Sequence, residues 1–302
     1  MNVFKKLLYS LIKKNRYLNQ EYYAKIYYEY YHDRKLDLGN PVDYNQKIQW
    51  LKVFYHPPIL NVLADKYAVR EYVKEKIGKK YLNELFGVYE KSKDLDFEQL
   101  PNQFVLKATH GSHMNIVVKD KTKLNTFKAK VQMNVWLMKN LYYNGGQEWV
   151  YKDIQPRLIA EKYLAEIGRN GMIDYRFFCF SGEPKFIQLD IWEDKDCYRC
   201  HYDLAWNRLS LMTERDIMYQ DEVKKPEKLD EMIKIAQTLS DKHPFVRVDL
   251  YSIENRILFG ELTFYPSDAR KNFIPEAMNK TIGDYIVLPP IPKGQSEITV
   301  NL

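Results

Sequence analysis

Two carboxylates and an arginine fall close together in the stretch Phe245 to Phe264, which reads FVRVDLYSIENRILFGELTF. Side chains alternate in type on either side of a polar centre, Ser252 to Arg256. A strand has a side-chain period of two, so Arg247, Asp249 and Tyr251 share one face of a first strand. Phe259, Glu261 and Thr263 share one face of a second. A turn at Ile253-Glu254-Asn255-Arg256 sets Asp249 near Glu261 and Arg247 near Thr263. Facing carboxylates repel unless a cation sits between them. Mg²⁺ takes one or two carboxylates together with phosphate oxygens and water, so the pattern suits Mg²⁺ with a nucleotide. The competing reading is an amphipathic hairpin whose charged face meets solvent.

Other stretches carry groups of the same kind. FVLKATHGSHMNIVVKD reads as strand, small-residue loop, strand, with Val105 and Lys107 on one face and the turn at Gly111 and Ser112. A loop whose N–H groups curl round an anion, entered by a lysine, suits nucleotide phosphates, although the spacing is not that of a P-loop. The bland alternative is an ordinary hairpin with Lys107 in solvent. MIDYRFFCFSGEPKFIQLDIW reads as a hairpin turned at Ser181-Gly182-Glu183-Pro184, with Asp174, Arg176, Gln188 and Asp190 on faces that could meet a substrate. Asp194-Lys195-Asp196 is a D-x-D tripeptide, a form that binds a nucleotide-sugar metal in some glycosyltransferases but is more often a charged loop.

The elements that must position these groups are legible from periodicity. Residues 1 to about 35 read as helix, with Phe4, Leu7, Leu8, Leu11 and Ile12 beside Lys5, Lys6, Lys13, Lys14 and Arg16. That basic amphipathic stripe, over residues 1–16, suits weak association with the inner face of a membrane; the alternative is a terminal helix docked on the body. The tyrosines of EYYAKIYYEYY recur at helical spacing and read as a packing face. YNQKIQWLKVFY is a helix with Ile48, Leu51 and Phe54/Tyr55 as its stripe, and ILNVLADKYAVREYVKEKIG a second, on which Asp65 and Lys66 read as a solvated pair. Leu85 to Tyr89 and PRLIAEKYL are strands, residues 126 to 143 a helix, and KPEKLDEMIKIAQTLSDKHP an amphipathic helix that feeds the hairpin. The order is helices, then a small α+β lid, then a larger α+β body.

Composition bounds the rest. The chain has 302 residues, a formal net charge of +6 and three cysteines, Cys179, Cys197 and Cys200. No dense Lys/Arg block lies outside the N-terminus, which argues against a nucleic-acid partner. An odd cysteine count gives no disulfide framework and points to a reducing, cytoplasmic setting. Cys197 and Cys200 form a single CxxC that His201 alone does not complete as a zinc site. No apolar run approaches transmembrane length, and no signal-peptide pattern is present.

From Pro41 to Gly283, the ordered motifs DKYAVREYV, FVLKATHGS, IAEKYL, DYRFFCFSGEPKFI, YDLAWN, FVRVDLY and GELTF resemble the ATP-grasp superfamily. Within it they resemble the TupA-like branch, linked to teichuronopeptide and other surface-polysaccharide biosynthesis. The resemblance implies an α+β ATP-grasp fold with N-terminal helices (1–40), an N-terminal subdomain (41–102), a lid (103–160), an antiparallel-sheet body (161–290) and a tail (291–302). It implies ATP and Mg²⁺. By position, Lys66 and Lys107 match phosphate-contacting lysines, and His110, Gly111 and Ser112 the loop that closes over the phosphates. Glu161, Lys162 and Leu164 match the hinge that holds adenine. Asp249 and Glu261 match the Mg²⁺ carboxylates, and Arg247 is placed to steady the transferred phosphate. Thr263 stands where many relatives carry a metal-binding asparagine, and His113 where a glycine is expected. YPSDARKNF follows GELTF where relatives tend to carry glycines.

The activity so implied is ATP-dependent ligation of a carboxylate to an amine. The γ-phosphate passes to the carboxylate, and an amine then displaces phosphate from the acylphosphate. The implied partners are a nucleotide and a carboxylate-bearing glycan or peptide precursor. A glycosyltransferase and a non-catalytic carbohydrate-binding relative are the alternatives.

Overall fold

A computed structural model of the chain describes residues 3–12, 15, 17–164, 172–193, 196–253 and 256–300. The long helix expected at the N-terminus is two helices, α1 (Val3–Ile12) and α2 (Gln20–His32). The Asn19 side chain accepts hydrogen bonds from the N–H groups of Glu21 and Tyr22, so it starts α2 afresh. Tyr9 donates to Glu29 (3.1 Å) and the Lys6 ammonium lies over the Tyr30 ring, which docks α1 on α2. Leu7, Leu8 and Leu11 stay exposed. Lys13, Lys14 and Arg16 of the basic stripe, and the side chains of Phe4 and Lys5, lie outside the described residues. Among the described residues no helix is long and apolar enough to cross a membrane.

Helix α3 (Tyr44–Phe54) is capped by Asp43, whose side chain accepts from the Gln46 N–H. It is buried almost all round, including Gln49 and Lys52, rather than along the single stripe its pattern predicts. The next helix also divides, into α4 (Ile59–Ala64) and α5 (Val69–Lys76). Asp65 causes the break. Its carboxylate accepts from the N–H groups of Tyr67 (2.8 Å) and Ala68 (3.2 Å) and from Arg157 (2.7 Å). Asp65 is therefore buried and not a solvated partner of Lys66. The break leaves Lys66 in a connection, where its N–H donates to the Thr109 carbonyl (3.1 Å).

The small sheet follows: β1 (Leu85–Tyr89), β2 (Phe104–Ala108), β3 (Asn115–Val118), α6 (Thr126–Leu137), α7 (Leu141–Asn144) and β4 (Leu158–Lys162). The single helix expected over 126–143 breaks where Asn140 caps α7. All pairings are antiparallel, in the order β1-β4-β2-β3. Strand β2 alternates cleanly. Phe104, Leu106 and Ala108 enter a core with Met133 and Trp136 of α6, while Val105 and Lys107 turn outward. Because β1 pairs with β4, residues 85–89 join the same sheet as the strands between 104 and 162.

The large sheet is built from β5 (Met172–Phe180), β6 (Glu183–Glu193), β7 (Asp196–Tyr202), β8 (Arg208–Leu209) and β10 (Ile217–Met218), with β9 (Met212–Thr213) between the last two in sequence. Helix α8 (Leu229–Ser240) then leads into β11 (Val246–Ile253) and β12 (Arg256–Thr263). The order is β10-β7-β6-β5-β11-β12, with β8 on β7. Period-two alternation gives the sheet two unlike faces. Val246, Val248, Leu250, Phe177 and Ile187 form the apolar face, packed on Leu229, Met232, Ile235, Ala236 and Leu239 of α8. Arg247, Asp249, Arg176, Asp174, Gln188, Asp190 and Arg199 share the other face.

Beyond β12, Pro266–Ala269 forms a tight turn, followed by β13 (Phe273–Ile274), which pairs with β9, and α9 (Ala277–Asp284). Ser267, Asp268 and Ala269 all have positive φ (51°, 53° and 50°). Left-handed backbone disfavours residues with a Cβ, and persists where surrounding contacts impose it. Here they do. Lys52 pairs with Asp268 (2.8 Å) and donates to the Gly146 carbonyl (2.9 Å). His32 Nε2 meets the Ala269 carbonyl (2.7 Å), and Asn45 donates to the Lys271 carbonyl (2.9 Å). A Cβ on Gly146 would lie 1.6 Å from an Asp268 oxygen and would push that carboxylate off Lys52. The segment 291–302 is tied to the body where it is described. Ile298 donates to the Phe54 carbonyl and its carbonyl accepts from the His56 N–H, both at 2.7 Å.

Lys52 is 1% exposed and Asp268 5%, so removing the cation strands a buried carboxylate. Lys52→Met should lower stability by about 3–5 kcal/mol in denaturant unfolding. Lys25→Met, in the exposed pair with Glu21, should change it by no more than about 0.5 kcal/mol. Equal losses in the two variants would contradict this account of the turn.

Candidate active site

Asp249 pairs directly with Glu261, and Arg247 with Thr263, across β11 and β12. Ile253 pairs with Arg256, so the strands join through residues 254–255, which lie outside the described residues. The register shifts between Asp249 and Leu250, where Gly260 sits opposite the bend. A Cβ on Gly260 would come within 2.9 Å of the Asp249 carbonyl. The bulge turns Phe259 to the apolar face opposite Leu250, so Phe259 does not share the face of Glu261 and Thr263 as strict alternation predicts.

The carboxylates have different environments. Asp249 is 7% exposed and receives both arms of Arg247, Nε to Oδ1 (2.7 Å) and Nη2 to Oδ2 (2.6 Å), with Arg176 at 3.6 Å. Burial pushes its carboxyl up despite the two guanidiniums, and Glu261 reinforces that shift. Glu261 is 46% exposed at its side chain. Burial pushes its carboxyl up, but Lys66, Arg247 and Arg176 together outweigh that and hold it below the usual range. Thr263 donates to Glu261 Oε1 (3.1 Å) and accepts from Arg247 Nη2 (3.1 Å). Its hydroxyl orients Glu261, and Glu261 Oε2 accepts no hydrogen bond among the described residues. That leaves one carboxylate oxygen free for a hard cation, with Asp249 beside it. The donor set fits Mg²⁺ shared with phosphate. Among the described residues no three His, Cys, Asp or Glu side chains group into a metal cluster, and the CxxC thiols are free.

The lid residues approach this face from Lys66 and β4. Lys66 donates to the Gly111 carbonyl, and burial pulls its ammonium down against the opposing pull of Glu261. Lys107 donates to Glu161 Oε2 (2.8 Å), and Arg70 to Glu161 Oε1 (2.8 Å). Both oxygens of Glu161 are therefore engaged, and Glu161 is the buried centre of an ion-pair triad rather than an open acceptor for an adenine amino group. The hinge backbone is partly occupied as well. The Lys162 N–H donates to the Glu84 carbonyl, and its own carbonyl accepts from Asn83, both at 2.9 Å. Leu164 packs on Ile253 and Leu258 at the end of the β11–β12 hairpin. A groove of about 690 Å³ opens there, lined by Arg70, Leu85, Lys162, Leu164 and Leu258 among others.

His110 turns away from the cleft. Its Nε2 meets the Trp136 carbonyl (3.0 Å) in the lid core, and burial lowers its pKa. Gly111 is hemmed in by Met114, and Ser112 is exposed. His113 has φ 57°, the left-handed conformation a glycine takes without strain.

Asp174, Arg176, Gln188 and Asp190 lie together on the polar face. Arg176 reaches Asp190 (2.6 Å) and Asp174 (3.4 Å), and Gln188 donates to Asp190 (2.6 Å). Burial pushes Asp174 up to about 6, against the pull of Arg176. Burial also opposes ionisation of Asp190, but Arg176 and Arg199 hold it well below the usual carboxylate range. Asp194 and Lys195 of the D-x-D tripeptide lie outside the described residues. Sequence reasoning missed Arg70, Arg199, Asp216 and Lys271. Arg199 was within reach, since alternation along DCYRCHY puts it on the face of Asp190, its partner in β6. Asp216 and Lys271 sit on irregular segments where no periodicity could point to them.

Comparison with known proteins completes the picture. No curated protein matches the chain. Among solved structures, D-alanine–D-alanine ligase from Bacillus anthracis aligns at 14% identity and a TM-score of 0.41, covering 75% of this chain and 66% of that one. A RimK-domain ATP-grasp protein from Sphaerobacter thermophilus aligns at 11% and 0.40, covering 75% and 67%. N5-carboxyaminoimidazole synthase from Aspergillus clavatus aligns at 13% and 0.38, covering 77% and 54%. The chain thus spans about two thirds or less of the length of these structures. The family model described as TupA-like ATPgrasp matches residues 46–287, from the first turn of α3 through α9 and across both sheets, and the chain belongs to that family.

Proposed function

We propose that the chain is an ATP-dependent carboxylate–amine ligase acting on a sugar acid or peptide acid in surface-polysaccharide biosynthesis. The observation that carries the reading is the half-exposed Glu261, held ionised by Lys66, Arg247 and Arg176 on the polar face of the large sheet. The nucleoside would lie in the groove at Arg70, Lys162 and Leu164, with its phosphates toward Lys107 and Lys66. Lys107 spends one donor on Glu161 and keeps two for phosphate oxygens. Glu261 and Asp249 would hold Mg²⁺, which offsets phosphate charge when bound. Arg247 stands between these carboxylates and the acceptor side, placed to steady the carboxylate that receives the γ-phosphoryl group. That group leaves ADP and bonds to a carboxylate oxygen. The amine then bonds to the acyl carbon, losing a proton as phosphate departs. Closing the small sheet over the site would keep water from the acylphosphate. Position and fixed charge supply most of the rate in such transfers.

Glu261→Gln should lower ADP release in a screen of sugar acids and amines by roughly 10²–10³. Its melting curve should stay close to wild type, because the side chain lies at the surface of the cleft. Wild-type turnover in Glu261→Gln would remove Glu261 from the chemistry. A folded wild type that binds ATP but turns over no acceptor would favour the non-catalytic alternative. The exposed Leu7, Leu8 and Leu11 beside Lys6 also support contact with an anionic membrane surface. Vesicles with anionic lipid should then sediment the full chain, and Leu7→Asp with Leu11→Asp should abolish this; equal sedimentation of both proteins would dismiss the contact.

A further inference from the structure

A second concavity lies on the polar face of the large sheet, and Glu261 is not among the residues that line it. It is a cavity of about 40 Å³ lined by Arg176, Arg199, Arg247 and Lys271, together with Tyr44 and Thr213. A single water needs about 10–15 Å³ by this kind of measure, so the space admits a few waters or one small anionic head group. Four cations around so small a space are costly unless something anionic balances them. Carboxylates do so from behind. Asp190 takes Arg199 Nε (2.7 Å), Arg199 Nη2 (3.0 Å) and Arg176 Nη1 (2.6 Å). Asp216 takes Arg199 Nη1, Lys271 Nζ (2.7 Å) and the Thr213 hydroxyl. Asp249 takes Arg247, and Asp174 lies at 3.4 Å from Arg176. None of these carboxylates lines the cavity. They fix the cations in place without exhausting their donors: Lys271 Nζ gives one hydrogen bond among the described residues, of the three it can donate.

One polar atom there lacks a partner among the described residues. The Tyr44 hydroxyl is buried and makes no hydrogen bond, whereas Arg176 Nε, also without a hydrogen bond, lies 3.6 Å from Asp249 Oδ2. Buried polar groups are nearly always satisfied, so an orphan that lines a cationic cavity marks the place of a ligand. The lining cations have different backing. Arg247 is held by Asp249, the strand partner of Glu261, while Arg199 is shared by Asp190 and Asp216 and Lys271 is held by Asp216.

We propose that the Arg199–Lys271 end of this cavity binds a second anionic oxygen group of the acceptor substrate, separate from the carboxylate activated beside Arg247. The proposal rests on the ligase reading for the word acceptor, but the anion site itself does not. The substrate class is then an acid carrying two anionic groups, such as a uronic acid bearing a phosphate or a peptide with two carboxylates. Guanidinium forks suit either group, because both present paired oxygens in a plane the fork can match.

The test is calorimetry on the full chain with MgADP present at saturation, titrated with inorganic phosphate and, separately, with malonate. At least one anion should bind saturably, and the tighter of the two assigns the group. Lys271→Met should weaken that binding tenfold or more and leave MgADP affinity unchanged, since Asp216 keeps Arg199 and Thr213 as partners. Arg199→Gln should weaken it further, with a melting curve run alongside. No saturable binding of either anion, or equal binding in Lys271→Met, overturns the proposal and leaves the ligase reading standing. Lys271-dependent anion binding in a protein that ignores MgADP does the reverse.

Discussion

Asp249 and Glu261 face each other across adjacent strands, and they can both carry charge only because guanidinium and ammonium groups are wedged around them. Arg247 grips Asp249 with two hydrogen bonds and reaches Thr263 with the same nitrogen. Arg176 comes from the neighbouring strand and Lys66 from the lid side. Remove the cations and the pair would repel in a partly desolvated cleft, where charges cost several kcal/mol each unless paired. The rest of the structure serves this arrangement. The α8 helix buries the apolar face of the sheet so that the opposite face can be polar. The bulge at Gly260 then keeps Glu261 on that face while returning Phe259 to the core.

A second constraint acts at the turn that follows β12. Three successive residues, Ser267 to Ala269, hold left-handed backbone with no glycine among them. Such conformations cost on the order of 1 kcal/mol or more each. They are imposed by groups far apart in sequence: Lys52 and Asn45 on α3, His32 on α2 and the bare backbone of Gly146. The N-terminal helices are thus part of the frame that shapes the loop. The chain holds this backbone shape by packing, with no glycine in the turn. His113 in the lid loop is a parallel case.

Much of this was legible in the sequence because it obeys period two. The alternation in FVRVDLY and GELTF placed Asp249 against Glu261, and that in DYRFF and FIQLD placed Arg176 beside Asp190. What alternation cannot register is a one-residue shift, which is why Phe259 was assigned to the wrong face. Helical periodicity likewise missed the break at Asp65, since a carboxylate that caps a new helix looks the same in sequence as one in solvent. Glu161 was visible as a charged residue on a buried strand. Its engagement by Arg70 and Lys107 depends on tertiary packing that no local pattern encodes. Asp216 and Lys271 were invisible for the same reason, since they meet only because β9 and β13 pair.

The central claim is that the polar face around Glu261 receives a magnesium nucleotide. Calorimetric titration of the full chain with ATP, with and without Mg²⁺, and with a UDP-sugar as comparison, tests it most directly. The account predicts that ATP binds, that Mg²⁺ tightens it roughly tenfold or more, about 1.4 kcal/mol, and that the UDP-sugar is ignored. Binding of the UDP-sugar with no response to ATP, or ATP binding indifferent to Mg²⁺, would contradict it.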